Sequence, residues 1–386
     1  MMKKLSILVV LGSLLFIMST ALVGSAVAAD SLPKLADLKT GEWNSIAPGG
    51  ETICSYGTPY QFFVRPAAIS SDKLMIHFEG GGACWDAETC APDYKFPPDD
   101  TGKPLFKRDV PDGQMAGYTA GLFDFSNVEN PVSHYNTVFV PYCTADVHMG
   151  STTHDYQTKS GEKYTINFQG FTNASAVLDW TYANFDKPSE VFITGISAGA
   201  IGQVIHTPYI MNHYKDSQVV QFADSYVGVS ARGWMGFKEW GALPNVAKDI
   251  VPAYADLTED NFSLARLYKG MAPAFPNNMF SEFTSYLDGT QIFFYYLTGG
   301  GATPEEAGGN FVTGKQSIIS SLTANLPNFR AYQSWGSQHG ITNIDDFYAY
   351  QVNGVRLRDW LADLLDGKTP RNVICTNCTT PELYSK

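Results

Sequence analysis

Glu190-Val-Phe-Ile-Thr-Gly-Ile-Ser197-Ala-Gly-Ala-Ile-Gly-Gln-Val-Ile205 is the stretch on which the reading of this chain turns. Its opening run, EVFIT, is β-branched and aromatic, as in a strand buried on both faces, and its last residues carry the apolar spacing of a helix. Between them, Gly195-Ile196-Ser197-Ala198-Gly199 is the Gly-x-Ser-x-Gly turn that lifts a serine hydroxyl above the end of a sheet. Strand, turn and helix pass close together there, so the flanking residues must be small, as Gly195, Ala198 and Gly199 are. A five-residue match alone is weak. The strand before it and the helix after it make Ser197 a candidate nucleophile, with the helix start pointing N–H groups at developing negative charge.

Further strand-like runs lie at 60–65, 73–78, 137–142, 219–223, 281–287 and 328–335, and helical spacing recurs at 172–185, 198–215 and 354–366. Their alternation predicts an α/β fold: an α/β-hydrolase-like, mostly parallel sheet flanked by helices. Two intervals break the pattern. Residues 91–135, rich in Pro, Asp and Gly, predict an irregular surface insertion. Residues 231–280 carry Trp234, Phe237, Trp240, Tyr254, Phe262 and Tyr268 and predict an aromatic-rich cap over the strand ends, although each ring could equally fill the cap's own core. The glycine-rich tract 299–309 reads as a loop, and no repeat is visible.

Lys3 and Lys4, an apolar run from Leu5 to Val23 and the small residues Ala26-Val27-Ala28 predict a secretory signal over residues 1–29. The run is long enough to raise a membrane anchor as the alternative, but no basic stop-transfer flank follows it. Export implies one α/β domain over 30–386, secreted and expected to be monomeric, without stable membrane insertion after cleavage. Removing the signal takes away two lysines and no carboxylate, moving the net charge from −12 to −14. That field repels nucleic acid and anionic membranes, and favours a neutral or partly esterified substrate unless a local basic patch overrides it. In an exported chain the six cysteines predict disulfides. Spacing suggests Cys84–Cys90 and Cys375–Cys378 as small loops, leaving Cys54–Cys143. The Cys375-Thr-Asn-Cys378 run could instead be redox-active or half a zinc site, but lacks a second ligand pair at finger spacing.

Acyl transfer needs oxyanion donors, a base and an acid. Glu79-Gly80-Gly81-Gly82 follows the strand KLMIHF, so the N–H groups of Gly81 and Gly82, with that of Ala198, are the candidate oxyanion hole. Among the histidines after Ser197, His206 and His213 ride the departing helix away from it, at ~1.5 Å per residue. His339, in the polar loop Trp335-Gly336-Ser337-Gln338-His339-Gly340, is the expected base. Position leaves two acids open, Asp288 after SEFTSYL and Asp224 after VVQFA. Asp146, His148, His154 and Asp155 cluster within ten residues but match no zinc spacing. No metal or cofactor is expected, and Asp146 and His148 are read as substrate-pocket residues beside Trp85.

Four of these segments together resemble the pectin acetylesterase and Notum family of serine carboxylesterases. Phe78-Glu79-Gly80-Gly81-Gly82-Ala83-Cys84 is similar to that family's oxyanion segment, with Cys90 closing the small loop, and Val140-Pro-Tyr-Cys143-Thr-Ala-Asp146-Val147 is similar to its Pro-Tyr-Cys-Ser-Ser-Asp-Val stretch. The elbow with Ala223-Asp224-Ser225 also matches, as do Ser285-Tyr-Leu-Asp288 and Ser337-Gln-His339. The resemblance implies Asp288 as the acid, Asp224 as structural, and the Cys54–Cys143 and Cys84–Cys90 bridges. Ala83, Trp85 and Ala200 depart from the family pattern and alter the acyl pocket's walls, so acyl preference does not carry over. The expected activity is removal of short acyl groups, acetyl first, from an acylated polysaccharide. Lipid-ester, polyester or protein deacylation by the same residues is the alternative, and an idle binding module the reading from another class.

Overall fold

The computed structural model describes residues 32–94, 104–231, 235–379 and 381–384. The expected signal segment and Trp234 lie outside the described residues. Among those described, no helix is long and apolar enough to cross a membrane.

The apolar runs become strands because their residues are buried almost without interruption. Lys73–Phe78 (β3) exposes only its first residue in part, and Glu190–Ile196 (β7) is buried throughout. In chain order the remaining strands are Asn44–Ile46 (β1), Phe62–Arg65 (β2), Asn136–Val140 (β4), Thr152–Gln157 (β5), Lys163–Phe168 (β6), Gln218–Asp224 (β8), Met279–Ser285 (β9), Phe329–Ser334 (β10), Gln351–Val352 (β11), Val355–Arg356 (β12) and Val373–Ile374 (β13). Nine of them form one sheet in the order β1-β2-β4-β3-β7-β8-β9-β10-β13. Its β1/β2 and β2/β4 pairs are antiparallel and all the others parallel. This is the α/β-hydrolase-like arrangement, and the parallel strands discharge their carboxyl ends along one edge, where ligands bind in such sheets.

Helices Gly170–Asn184 (α1), Ala198–His213 (α2), Met235–Glu239 (α3), Leu264–Ala274 (α4), Gly289–Leu297 (α5), Pro304–Asn325 (α6) and Leu357–Leu365 (α7) cover the sheet. α2 packs on β3, β7 and β8, α6 packs on β10, and Trp360 of α7 sets its ring edge-on to Phe222 and Tyr332. Disulfides join Cys54 to Cys143, Cys84 to Cys90 and Cys375 to Cys378.

Three local expectations change. Residues 104–135 are not a mere surface excursion: Leu105, Phe106, Leu122, Phe123 and Val132 are buried in the core, where Phe123 meets Phe139 of β4 edge-on. In the cap, Phe237 stacks on Phe262 and the Tyr254 hydroxyl donates to the Leu267 carbonyl, so these rings fill the cap's own interior, whereas Tyr268 packs edge-on against Phe280 and Phe329 of the sheet. The tract 299–309 is half helix. Thr303 caps α6 by accepting the Glu306 N–H, and Pro304 stands at the first helical position, a start signal that outweighs the glycines. The β5/β6 hairpin escapes the sequence reading because its inward residues, Thr152, His154 and Tyr156, are polar and only half-buried.

Thr303→Ala removes the cap and is expected to lower stability by ~1 kcal/mol. An unmoved urea midpoint, with unchanged hydrogen exchange in the first turn of α6, would contradict the assignment.

Candidate active site

The carboxyl ends of β3, β7, β8, β9 and β10 deliver the site's parts side by side. Ser197, between β7 and α2, has φ 56° and ψ −119°, a backbone that L-residues rarely adopt. Close packing holds it. A side chain at Gly199 would fall 2.0 Å from the Phe78 carbonyl oxygen, and one at Gly80 would fall 3.0 Å from Ser197 Cβ. The elbow and the glycine run after β3 are thus one packed unit.

Asp288 caps α5 and is fully buried. Its Oδ1 accepts the backbone N–H of Gln291 at 2.9 Å and its Oδ2 the Gln291 side-chain amide at 2.9 Å. His339 Nδ1 sits 2.9 and 3.0 Å from the two carboxylate oxygens, so it donates and the imidazole is held in one orientation. Among the described residues His339 Nε2 has no hydrogen-bond partner, and His339 and Ser197 line the same cavity. Catalytic hydrogen bonds commonly tighten only once substrate is bound.

Asp224, the other acid, faces away from this pair. Its Oδ2 accepts from Ile341 N, Thr342 N and Thr342 Oγ1 at 2.7–2.8 Å, and its Oδ1 from Ser225 Oγ, which in turn accepts the Gly340 N–H. Burial raises its carboxyl above the usual range, while the donors from Thr342, Ile341 and Ser225 pull it back. Asp224 therefore anchors the loop that carries His339.

Gly82 and Ala198 line the Ser197 cavity, whereas Gly81 lines, with Gly82, an open groove next to it. The glycine segment is held by Glu79, whose role the sequence reading missed. Its buried carboxylate accepts from Lys107 Nζ at 2.7 Å, Tyr118 OH at 2.5 Å, Gln114 Nε2 at 3.0 Å and Tyr142 N at 3.0 Å. Three of those donors come from the insertion, which thereby becomes a strap on the glycine run.

Asp146 and His148 do not line the cavity; both are buried in the wall behind it. His148 Nε2 donates to the Glu79 carbonyl at 2.8 Å, and His206 Nε2 donates to the His148 carbonyl at 3.0 Å. Burial pushes their imidazoles down to about 3 and about 4, so both stay neutral and serve as struts. Asp146 accepts from Thr144 Oγ1, Gly150 N and Gly170 N, and burial pushes its carboxyl up to about 7. His154 donates to the Glu239 carbonyl and Asp155 accepts from Thr165. Among the described residues no three His, Cys, Asp or Glu side chains gather in a way that could hold a metal.

The cavity is walled by Trp85, Trp240, Tyr226 and Phe294, with about 90 Å³ free. Trp85 and, from the aromatic cap, Trp240 are expected wall residues found there, and Trp85 meets Phe294 of α5 edge-on. Phe294 itself was missed, because α5 reads as continuous apolar sequence. The groove outside is lined by Lys107, Arg108, Phe293 and Phe294 and measures about 790 Å³.

The profile described as Pectinacetylesterase matches residues 48–236, which include Glu79–Gly82 and Ser197 and stop short of Asp288 and His339. Palmitoleoyl-protein carboxylesterase NOTUM of Schmidtea mediterranea is 28% identical over 167 residues, 42% of this chain and 29% of its own length. Pectin acetylesterase 4 of Arabidopsis thaliana is 23% identical over 202 residues, 51% of this chain and 46% of its own. The chain thus spans less than half the length of these two curated relatives. The solved structure of the Wnt deacylase Notum from Drosophila superposes with a TM-score of 0.60 at 18% identity, over 85% of this chain and 93% of that one. That likeness shows the α/β-hydrolase-like fold.

Glu79→Gln would turn an amide N–H toward donors that need an acceptor, and is expected to cost about 2–3 kcal/mol. A denaturation midpoint equal to wild type would show that the strap does not depend on the carboxylate.

Proposed function

We propose that this chain, a relative of the pectin acetylesterases and Notum carboxylesterases over residues 48–236, is a carboxylic ester hydrolase working by a Ser197–His339–Asp288 mechanism. The observation that carries the reading is the buried Asp288 carboxylate aligned on His339 Nδ1, with His339 and Ser197 facing one cavity. Ser197 Oγ attacks the ester carbonyl while His339 Nε2 takes its proton. The oxyanion that forms lies against the helix start at Ala198 and the N–H groups of the glycine run. Nε2 then protonates the departing alcohol, leaving an acyl-serine. Water, deprotonated by the same nitrogen, releases the acid and restores Ser197. The imidazolium formed in both steps is stabilised by Asp288.

The small apolar cavity supports a short acyl group. At about 90 Å³ it is below the ~150 Å³ that holds a benzene ring in an engineered protein cavity. The larger groove, with Lys107 and Arg108 on its wall, suits a bulky polar alcohol such as a glycan. The favoured substrate is an O-acetylated polysaccharide, met outside the cell after export by the signal segment. The names of the Notum relatives favour a second reading, deacylation of a lipid-modified protein, which requires the Trp85–Phe294 wall to open.

Ser197→Ala is expected to keep the fold and lose p-nitrophenyl acetate hydrolysis, and a fluorophosphonate to label Ser197 in the wild type. Turnover by the variant near the wild-type rate would sink the mechanism. Asp288→Asn should lower kcat by roughly 10³–10⁴ with little change in KM. Asp224→Asn should lose stability more than chemistry, and the reverse pattern would exchange their roles.

Acyl length is read from a series of p-nitrophenyl esters. Acetyl is expected to exceed octanoyl, and Trp85→Ala to widen tolerance, since each methylene admitted to an apolar pocket is worth about 0.8 kcal/mol. Wild-type preference for octanoyl would instead favour the lipid reading.

A further inference from the structure

Lys315, on α6, is a lysine whose side chain is fully buried. Its Nζ donates to the carbonyls of Ser285 at 3.0 Å and Tyr286 at 2.5 Å, the last residue of β9 and the first beyond it. The ammonium also lies 4.9 Å from the centre of the Tyr286 ring and 5.6 Å from that of Phe311. Two residues further along the chain stands Asp288. The remaining support of this segment comes from the His339 loop itself. Tyr286 N donates to Ser334 O, Leu287 N to Gly336 O and Gly289 N to Ser337 O. Without Lys315, the carbonyls of Ser285 and Tyr286 would lose their buried donor at the point where the chain leaves the sheet for the acid.

We propose that Lys315 is a positioning residue for Asp288, clamping the chain between the end of β9 and the acid through the carbonyls of Ser285 and Tyr286. The proposal rests on the esterase reading above. A buried ammonium without a role would be replaced at little cost by an apolar side chain, whereas one that satisfies two carbonyls and faces carboxylates does specific work. The charged groups that face it are Asp288 and Glu282. Burial pulls the ammonium down to about 7, with Asp288 and then Glu282 pulling it back up. Glu282 is buried on β9, neither of its oxygens has a hydrogen-bond partner among the described residues, and burial pushes its carboxyl up to about 8.

The test is made on the full chain with Lys315→Met and with Lys315→Gln, which keeps an amide N–H for the carbonyls and loses the charge. Steady-state hydrolysis of p-nitrophenyl acetate is expected to show kcat lowered about tenfold or more with KM within about threefold. In the Ser197→Ala background, the low-field Nδ1–H signal of His339, assigned by its loss in His339→Gln, is expected to shift or broaden in the Lys315 variants, since it reports whether Asp288 still meets the imidazole. A variant that loses thermal stability but keeps kcat within about twofold, or leaves the His339 Nδ1–H signal unmoved, overturns the proposal. If Lys315→Met does not fold, Lys315→Gln decides alone. A wild type without turnover would sink the esterase reading, and the Nδ1–H signal would still judge Lys315.

Discussion

The turn at Ser197 is the constraint around which the rest of the site is arranged. A non-glycine residue at φ 56°, ψ −119° costs of order 1–3 kcal/mol and persists only where its surroundings overdetermine it. Here they do. Ser197 N donates to Asp224 O, prolonging the β7/β8 ladder, while Gly195, Gly199 and Gly80 let β3, β7 and α2 approach until no Cβ fits between them. The hydroxyl is consequently carried by strands and a helix rather than by a loop.

Around that turn, buried polar groups act as ties between segments distant in sequence. Glu79 fastens the insertion to the glycine run, Asp224 fastens the His339 loop to β8, and the His206–His148 chain props the Glu79 carbonyl from α2. Each would be costly if its donors or acceptors went unmet; Asp224 and the two histidines meet them largely with backbone groups of the site's own loops, and Glu79 with three side chains of the insertion and the Tyr142 N–H. Positive φ at Ala145, Val147, His148 and Ser225 gathers in the same region, so several bends are held there together. The site's rigidity comes from polar ties closing over a strained backbone, with the apolar core beneath supplying the platform.

The cavity and groove divide the space above Ser197 unequally. Gly82, Thr290 and Phe294 border both, so the reacting carbonyl would sit at their junction with acyl and alcohol parts on opposite sides. α5 supplies most of that partition, and its N-cap is Asp288. The element that holds the acid therefore also shapes the specificity wall, and changes in one are transmitted directly to the other.

The α/β alternation, the elbow, the glycine run and the histidine loop were legible in the sequence because each depends on local chemistry: buried strands read as unbroken apolar runs, and a strained turn demands small neighbours. The choice between Asp288 and Asp224 was not legible from position, since both end strands on the same sheet edge. Only the packing shows that one meets an imidazole and the other meets backbone N–H groups of the following loop. Asp146 and His148 were read as pocket residues because their polar cluster fits no zinc spacing; the tertiary structure buries both, Asp146 as a turn anchor and His148 as a strut. Glu79, Gln291 and Lys315 gained their roles the same way. A buried charge is explained only by partners far along the chain, and sequence order does not record which of them the fold brings within 3 Å.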